Sequence, residues 1–204
     1  MTKQHEAALP QRPGLLAQEK RRARLSLVRP DVPTPGIHDG RELSSLAKTS
    51  SVRSDLTAQQ ETFGVIMQEL PPLFRRHWEE LALNRDTIPL DPDWQRYMAM
   101  DVGGVLKITT ARCGKTLAGY IFNLVNTHLH YRSTLFANIE MFWLEPGYRG
   151  GTFAVKWFRQ NDKMLRDMGV QKIVVTTKNH YMAGRVGSVF RRLGYKPIET
   201  VWAG

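Results

Sequence analysis

The segment Leu144-Glu145-Pro146-Gly147-Tyr148-Arg149-Gly150-Gly151-Thr152-Phe153-Ala154 constrains this chain more than any other. It follows a β-rich run, Ala137 to Leu144, and leads into Thr152 to Met168, where Ala154, Phe158, Leu165 and Met168 share one helical face. A strand must therefore end, pass through two adjacent glycines and open a helix. Gly150 and Gly151 let the backbone approach a ligand closely, and the first turn of a helix carries N–H groups without intrahelical partners. Those donors and the helix dipole favour an anion, and Arg149 adds a fixed positive charge. Taken alone, the pattern fits a tight turn without a ligand equally well.

The flanking segments place this turn in a larger order. Thr57-Ala58-Gln59-Gln60 fits a capping box, which predicts a helix to about Leu70, ended by Pro71-Pro72. A second helix is expected where Leu73, Phe74, His77, Trp78 and Leu81 recur at helical spacing. Asn84 to Asp93, with Pro89 and Pro92, reads as a loop. Val105 to Ala111 and Thr116 to Val125 are β-rich runs joined by the hairpin turn Arg112-Cys113-Gly114-Lys115. Asn126 to Thr134 reads as a loop holding His128, His130 and Tyr131. Lys172 to Thr177 suits an interior strand buried on both faces, and Ala183 to Leu193 a helix ended by Gly194. Lys196 to Trp202 reads as a last strand. The order implies an α/β domain with a mixed sheet.

Composition bounds the rest. With 204 residues, 42% of them apolar, the chain can hold one cored domain plus a tail. Prolines at 10, 13, 30, 33 and 35 and the Ser/Thr-rich stretch Ser44 to Ser54 make residues 1–56 a flexible basic extension, leaving 57–204 as the folded domain. The net charge is +10; the extension holds ten Lys/Arg against six Asp/Glu, so most of the excess lies outside it. A nucleic-acid partner would use such charge, but its even spread argues against one. The single cysteine, Cys113, favours a reducing compartment. No apolar run reaches the ~20 residues that span a bilayer, and the first thirty residues lack a secretory core, so a cytoplasmic protein is expected.

With these pieces in order, the chain resembles the GCN5-related N-acetyltransferase (GNAT) superfamily from about residue 57 to its end. The likeness rests on Leu144 to Gly150, Met168-Gly169-Val170, Asn179 and Phe190-Arg191-Arg192-Leu193-Gly194-Tyr195. His77-Trp78-Glu79-Glu80 and His128-Leu129-His130-Tyr131 add a narrower resemblance to acetyltransferase-like proteins of tailed phages, which would place the protein in a host cytoplasm. The resemblance implies a mostly antiparallel central sheet flanked by helices, with acetyl-CoA as acyl donor, no metal, and a primary amine on a small molecule or protein as acceptor. It also allows a homodimer. Backbone groups of Phe142, Trp143 and Leu144 would bind the pantetheine arm. Those of Arg149, Gly150, Gly151, Thr152, Phe153 and Ala154 would cradle the pyrophosphate, and Asn179 and Phe190 would line the cofactor.

Three positions depart from the family pattern. Thr152 stands where the phosphate turn usually has glycine, and Phe190 replaces the tyrosine that often protonates the thiolate. Asn138 occupies the place of a common carboxylate. Glu140, two residues on, becomes the first candidate for the base that deprotonates the amine, and His128 and His130 follow because imidazole titrates near neutrality. Glu140 can also be an ordinary exposed strand residue. The alternative is a catalytically inactive GNAT-fold module, a binding or structural element that still binds CoA. His77 to Glu80 reads first as a core-facing tryptophan beside a solvated acid pair, and second as a substrate wall. Trp94 and Tyr97 read as acceptor-side residues or as a cap on the sheet edge.

Overall fold

The computed structural model describes residues 55–202 except Met182; the expected extension, apart from its last two residues, lies outside them. Among the described residues, five strands form one sheet in the order β1 to β5: Leu56–Glu61, Leu106–Cys113, Thr116–His128, Tyr131–Leu144 and Lys172–Val175. The first three pairings are antiparallel and the last is parallel. Helices α1 (Phe63–Ile66), α2 (Leu70–Leu81) and α3 (Trp94–Val102) separate β1 from β2; α4 (Phe153–Asp167) crosses from β4 to β5, and α5 (Ala183–Arg192) follows. The expected mixed, mostly antiparallel sheet with flanking helices is therefore present.

Each face of the sheet buries its own layer. Phe63, Phe74, Tyr120, Phe122 and Trp143 pack between the sheet and α1–α3. Ile121, Ile139, Leu144, Trp157, Phe158 and Phe190 pack on the opposite side, under α4 and α5. That second layer also encloses a polar group. Asn161 of α4 is fully buried; its side-chain amide donates to the Asn123 carbonyl oxygen at 3.1 Å, and its own carbonyl oxygen accepts from Asn123 at 2.8 Å and from the Thr109 hydroxyl at 2.9 Å. Asn161→Ala is expected to lower stability by about 2 kcal/mol in urea unfolding, because both partners lose a bond they cannot replace with water. A loss below about 0.5 kcal/mol would contradict this.

Several expected elements differ. Thr57 to Gln60 is not a helix start but part of β1, paired with Gln60 opposite Thr109 and Leu56 opposite Cys113. Pro71 and Pro72 open α2 instead of ending a helix, since the first turn needs no N–H from them. Trp94 to Val102 is a helix, started by the Asp93 carboxylate accepting from the Arg96 N–H at 2.9 Å; Trp94 and Tyr97 stack on Phe63 within the core. The expected loop 126–134 is mostly strand, because β3 and β4 run on to a tight turn at Leu129-His130. β5 is the last strand of the sheet and only half-buried, not an interior strand. Lys196 to Trp202 forms no strand: Pro197 lacks a ladder donor, and Ile198, Val201 and Trp202 are exposed.

Candidate functional site

The pairing of β3 with β4 slips near the hairpin tip, between Thr127 and His128, and again in mid-strand, between Phe122 and Asn123. Asn123 faces Ile139 and Phe122 faces Met141, so Glu140 has no counterpart. This β-bulge reverses the alternation of side chains: Ile139 packs under α4 and α5, whereas Met141, two residues on, packs under α1–α3. Pairing with β5 ends at the same place, Ile139 opposite Val175. β3 stays beside β4 as far as Gly119 opposite Leu144. Residues 140–144 therefore have a strand neighbour on one side only among the described residues. The bulge bends β4 where its two neighbours part, and the edge of Phe142 and Leu144 that β5 leaves unpaired borders a gap, or slot, where an extended amide chain can add as a strand; the Leu144 carbonyl there accepts from the Arg149 side chain.

The glycine turn lies at the end of that slot. Pro146–Tyr148 form a short 3₁₀ turn, and the Arg149 N–H donates back to the Pro146 carbonyl at 3.1 Å. Gly150 and Gly151 then adopt φ of 106° and 65°, a region that side chains resist. α4 opens directly afterwards, with Lys156 donating to the Thr152 carbonyl. The N–H groups ahead of Lys156, from Phe153 and Ala154 at the helix start, precede the first intrahelical bond and are available to an anion, as Gly150, Gly151 and Thr152 are exposed.

The Arg149 side chain turns the other way. Its guanidinium pairs with both oxygens of Glu80, one at 2.7 Å, and donates to the Leu144 carbonyl at 2.6 Å and to the Tyr181 hydroxyl at 3.2 Å. Glu80 also accepts from Tyr181 and from the Trp143 indole N–H at 2.7 Å. Burial alone would raise the Glu80 carboxyl, but the bonds from Arg149, Tyr181 and Trp143 bring it down to about 2. Arg149 and Arg76 both lie over the Trp143 ring, 5.7 and 5.8 Å from its centre. Beside them His77 shares a 2.7 Å hydrogen bond with the Tyr120 hydroxyl, and burial lowers its imidazole to about 4, so it is neutral at pH 7. A cleft of about 440 Å³ opens here, lined by Arg76, Glu79, Glu80, Trp143, Glu145, Pro146, Arg149 and Tyr181.

The structure gathers some expected residues and disperses others. Phe142, Trp143, Leu144 and residues 149–154 meet at the slot and turn. Glu140 is exposed at the bulge; after burial, its charge is what raises the Tyr97 hydroxyl, which puts it on the α3 side of the sheet. His128 and His130 sit at the far hairpin tip, where the His130 N–H donates to the His128 imidazole at 3.1 Å. His128 lies nine positions along β3 from Gly119, about 30 Å of strand, so neither histidine joins the slot. Asn179 is exposed in the turn after β5. Phe190 is buried, its ring edge-on to Phe142, Phe158 and Tyr195, and forms part of the wall behind β4. Glu80 is not half of a solvated pair: Glu79 is exposed, but Glu80 turns inward to Arg149. Tyr181 joins the site without any sequence pattern to mark it.

This architecture is similar to several solved structures. An aminoglycoside acetyltransferase, meta-AAC0020 from an uncultured soil metagenomic sample, superposes with a TM-score of 0.59 at 12% identity, covering 74% of this chain and 95% of the other. The fold is that of the GNAT acetyltransferases. A predicted acetyltransferase from Clostridium acetobutylicum, solved with acetyl-CoA, matches this GNAT fold with a TM-score of 0.56 at 13% identity, over 72% and 94% of the two chains. The ribosomal-protein-alanine N-acetyltransferase from Brucella melitensis matches with a TM-score of 0.55 at 11% identity, over 72% and 96%. No protein-family model and no curated protein matches the sequence of this GNAT-fold chain. Among the described residues no helix is long and apolar enough to cross a membrane.

Proposed function

We propose that this protein transfers an acetyl group from acetyl-CoA to a primary amine by direct attack. The observation that carries this reading is the slot beside Phe142–Leu144 ending at the open N-terminus of α4. The slot suits the two amides of a pantetheine arm, and the helix start suits a pyrophosphate. A backbone N–H near Trp143 or Leu144 would receive the thioester oxygen as negative charge develops on it. The amine enters on the α1–α3 side of β4 and reaches Glu140 at the bulge, which takes its proton directly or through a water. The nitrogen lone pair forms the new C–N bond, the C–S bond breaks, and the thiolate leaves with a proton from water, since Phe190 has none to give. Neighbours of this fold act on aminoglycosides and on a ribosomal-protein alanine; the acceptor here is an amine of one of those two kinds, a small molecule or a protein N-terminus.

The test is titration of the protein with acetyl-CoA, repeated on Thr152→Glu. Thr152 is exposed at the start of α4 with an ordinary backbone conformation, φ −103°. A carboxylate there stabilises the helix by about 0.5 kcal/mol but meets the pyrophosphate with like charge. Unchanged or raised thermal stability with binding weakened more than about tenfold is expected. Equal binding by both proteins would remove the phosphate site from α4, and no binding by either would end the acetyl-CoA reading.

A further inference from the structure

Within the turn from Glu145 to Thr152, Arg149 is the only cationic side chain, yet it does not face the helix start. Its donors are committed to Glu80 of α2, the Leu144 carbonyl at the end of β4 and Tyr181 beyond β5, none of them at the helix start. Glu80 comes from a different element, and its side chain is only 17% exposed. It is ionised over the whole working pH range by the bonds that hold it. A buried carboxylate is costly without a partner, so Glu80 and Arg149 hold each other in the absence of any anion. The result is a phosphate turn whose own guanidinium is neutralised by a neighbouring helix.

We propose that Glu80 is a positioning residue that holds Arg149 away from the phosphate turn, so that a bound pyrophosphate must take Arg149 from Glu80. This rests on the acetyl-CoA reading given above. The exchange trades one charge-assisted pair for another: the guanidinium that now spans the two Glu80 oxygens has the same fork geometry for two phosphate oxygens. The turn is one side chain's length away, because Arg149 directly precedes Gly150 and Gly151. Glu80, once released, keeps its bonds from Trp143 and Tyr181 and faces the cleft as an unpaired carboxylate. Donor binding on one side of β4 thereby prepares an anionic group on the other, where an ammonium arrives. Glu80 thus sets donor affinity and the order in which the two substrates bind best.

The experiment is calorimetric titration of CoA and of pantetheine, which lacks the pyrophosphate, into the wild-type protein, Glu80→Gln and Glu80→Gln/Arg149→Met. Glutamine keeps one oxygen to accept from the Trp143 indole, and its NH2 can donate to the Tyr181 hydroxyl oxygen, but it gives up the charge that holds Arg149. The single variant is expected to bind CoA roughly three- to tenfold tighter, with pantetheine unchanged and the gain absent from the double variant. A merely structural Glu80 would give the opposite sign. Tyr181→Phe, which loosens the same clamp without removing charge, is expected to shift CoA affinity in the same direction by a smaller factor, and serves if Glu80→Gln does not fold. Equal or weaker CoA binding by Glu80→Gln, or an equal gain for both ligands, overturns the clamp and leaves the acetyl-CoA reading standing. Failure of all folded variants to bind CoA overturns both.

Discussion

Gly119→Ala is expected to cost about 3 kcal/mol of stability and to weaken acetyl-CoA binding at least tenfold. A Cβ at this position would lie 2.5 Å from the Trp143 carbonyl oxygen and 3.0 Å from the Leu144 Cα. Those are backbone atoms of β4, so no side-chain rotation relieves the contact and the strand itself must move. Gly119 is paired with Leu144, at the end of the slot where β4 has no other strand to hold it. The displacement therefore falls on the backbone groups assigned to the pantetheine arm. Urea unfolding and acetyl-CoA titration of the same variant check both parts. A stability loss under about 1 kcal/mol with intact binding would show that β4 yields there without consequence.

Arg112→Met is expected to destabilise the protein by about 3 kcal/mol at pH 7. Arg112 is buried and ties three segments together. It binds Glu61 of β1 at 2.8 and 3.0 Å, Glu69 before α2 at 2.8 and 3.2 Å, and the Lys115 carbonyl in the β2–β3 turn at 2.6 Å. Methionine fills similar space and strands two carboxylates. The loss should depend on pH in a defined sense. The Arg112 hydrogen bond holds the Glu69 carboxyl below its ordinary value, against the effect of burial. A depressed carboxyl adds stability above its unfolded pKa and loses it as pH falls, so wild type and variant should converge below about pH 4. Glu69 is 37% exposed, so solvent screens its share. A difference that stays constant down to pH 3 would mean that the effect is packing alone.

What could be read from the sequence was local periodicity and turn chemistry. The β2–β3 hairpin with Gly114, the strand leading into Arg149-Gly150-Gly151, and α4 with Gly169 behind it each announce themselves within fifteen residues. β1 does not. Thr57 to Gln60 satisfies a helix-start pattern, and only pairing with residues about fifty positions away makes it a strand. α3 was hidden for the opposite reason: Asp93 is a good helix cap, but Pro89 and Pro92 just before it suggest that the loop continues. Glu80 left a trace that was passed over. It lies three residues after His77 and seven after Leu73, on the inward stripe of α2, and a charge on such a stripe calls for a partner. Arg149 as that partner could not be deduced, because the pairing spans 69 residues and four other elements, α3 and β2 to β4. His128 and His130 were chosen for their chemistry alone, which says nothing of the thirty-ångström strand between them and the slot.

The bulge at Glu140 gives β4 two reading frames. Before it, odd-numbered positions such as Ala137 and Ile139 face α4; after it, even-numbered positions such as Phe142 and Leu144 do. Were Glu140 to take an ordinary place in the ladder opposite Phe122, the alternation would run on unbroken and exchange the faces of everything from Met141 to Leu144. The tryptophan now under the arginine pair would turn toward α4, and the phenylalanine behind the slot would turn toward α2. A one-residue slip of register there acts on the strand as a frameshift acts on a message, whereas a change of length in the loop from Leu83 to Pro92 would leave every side of the sheet legible.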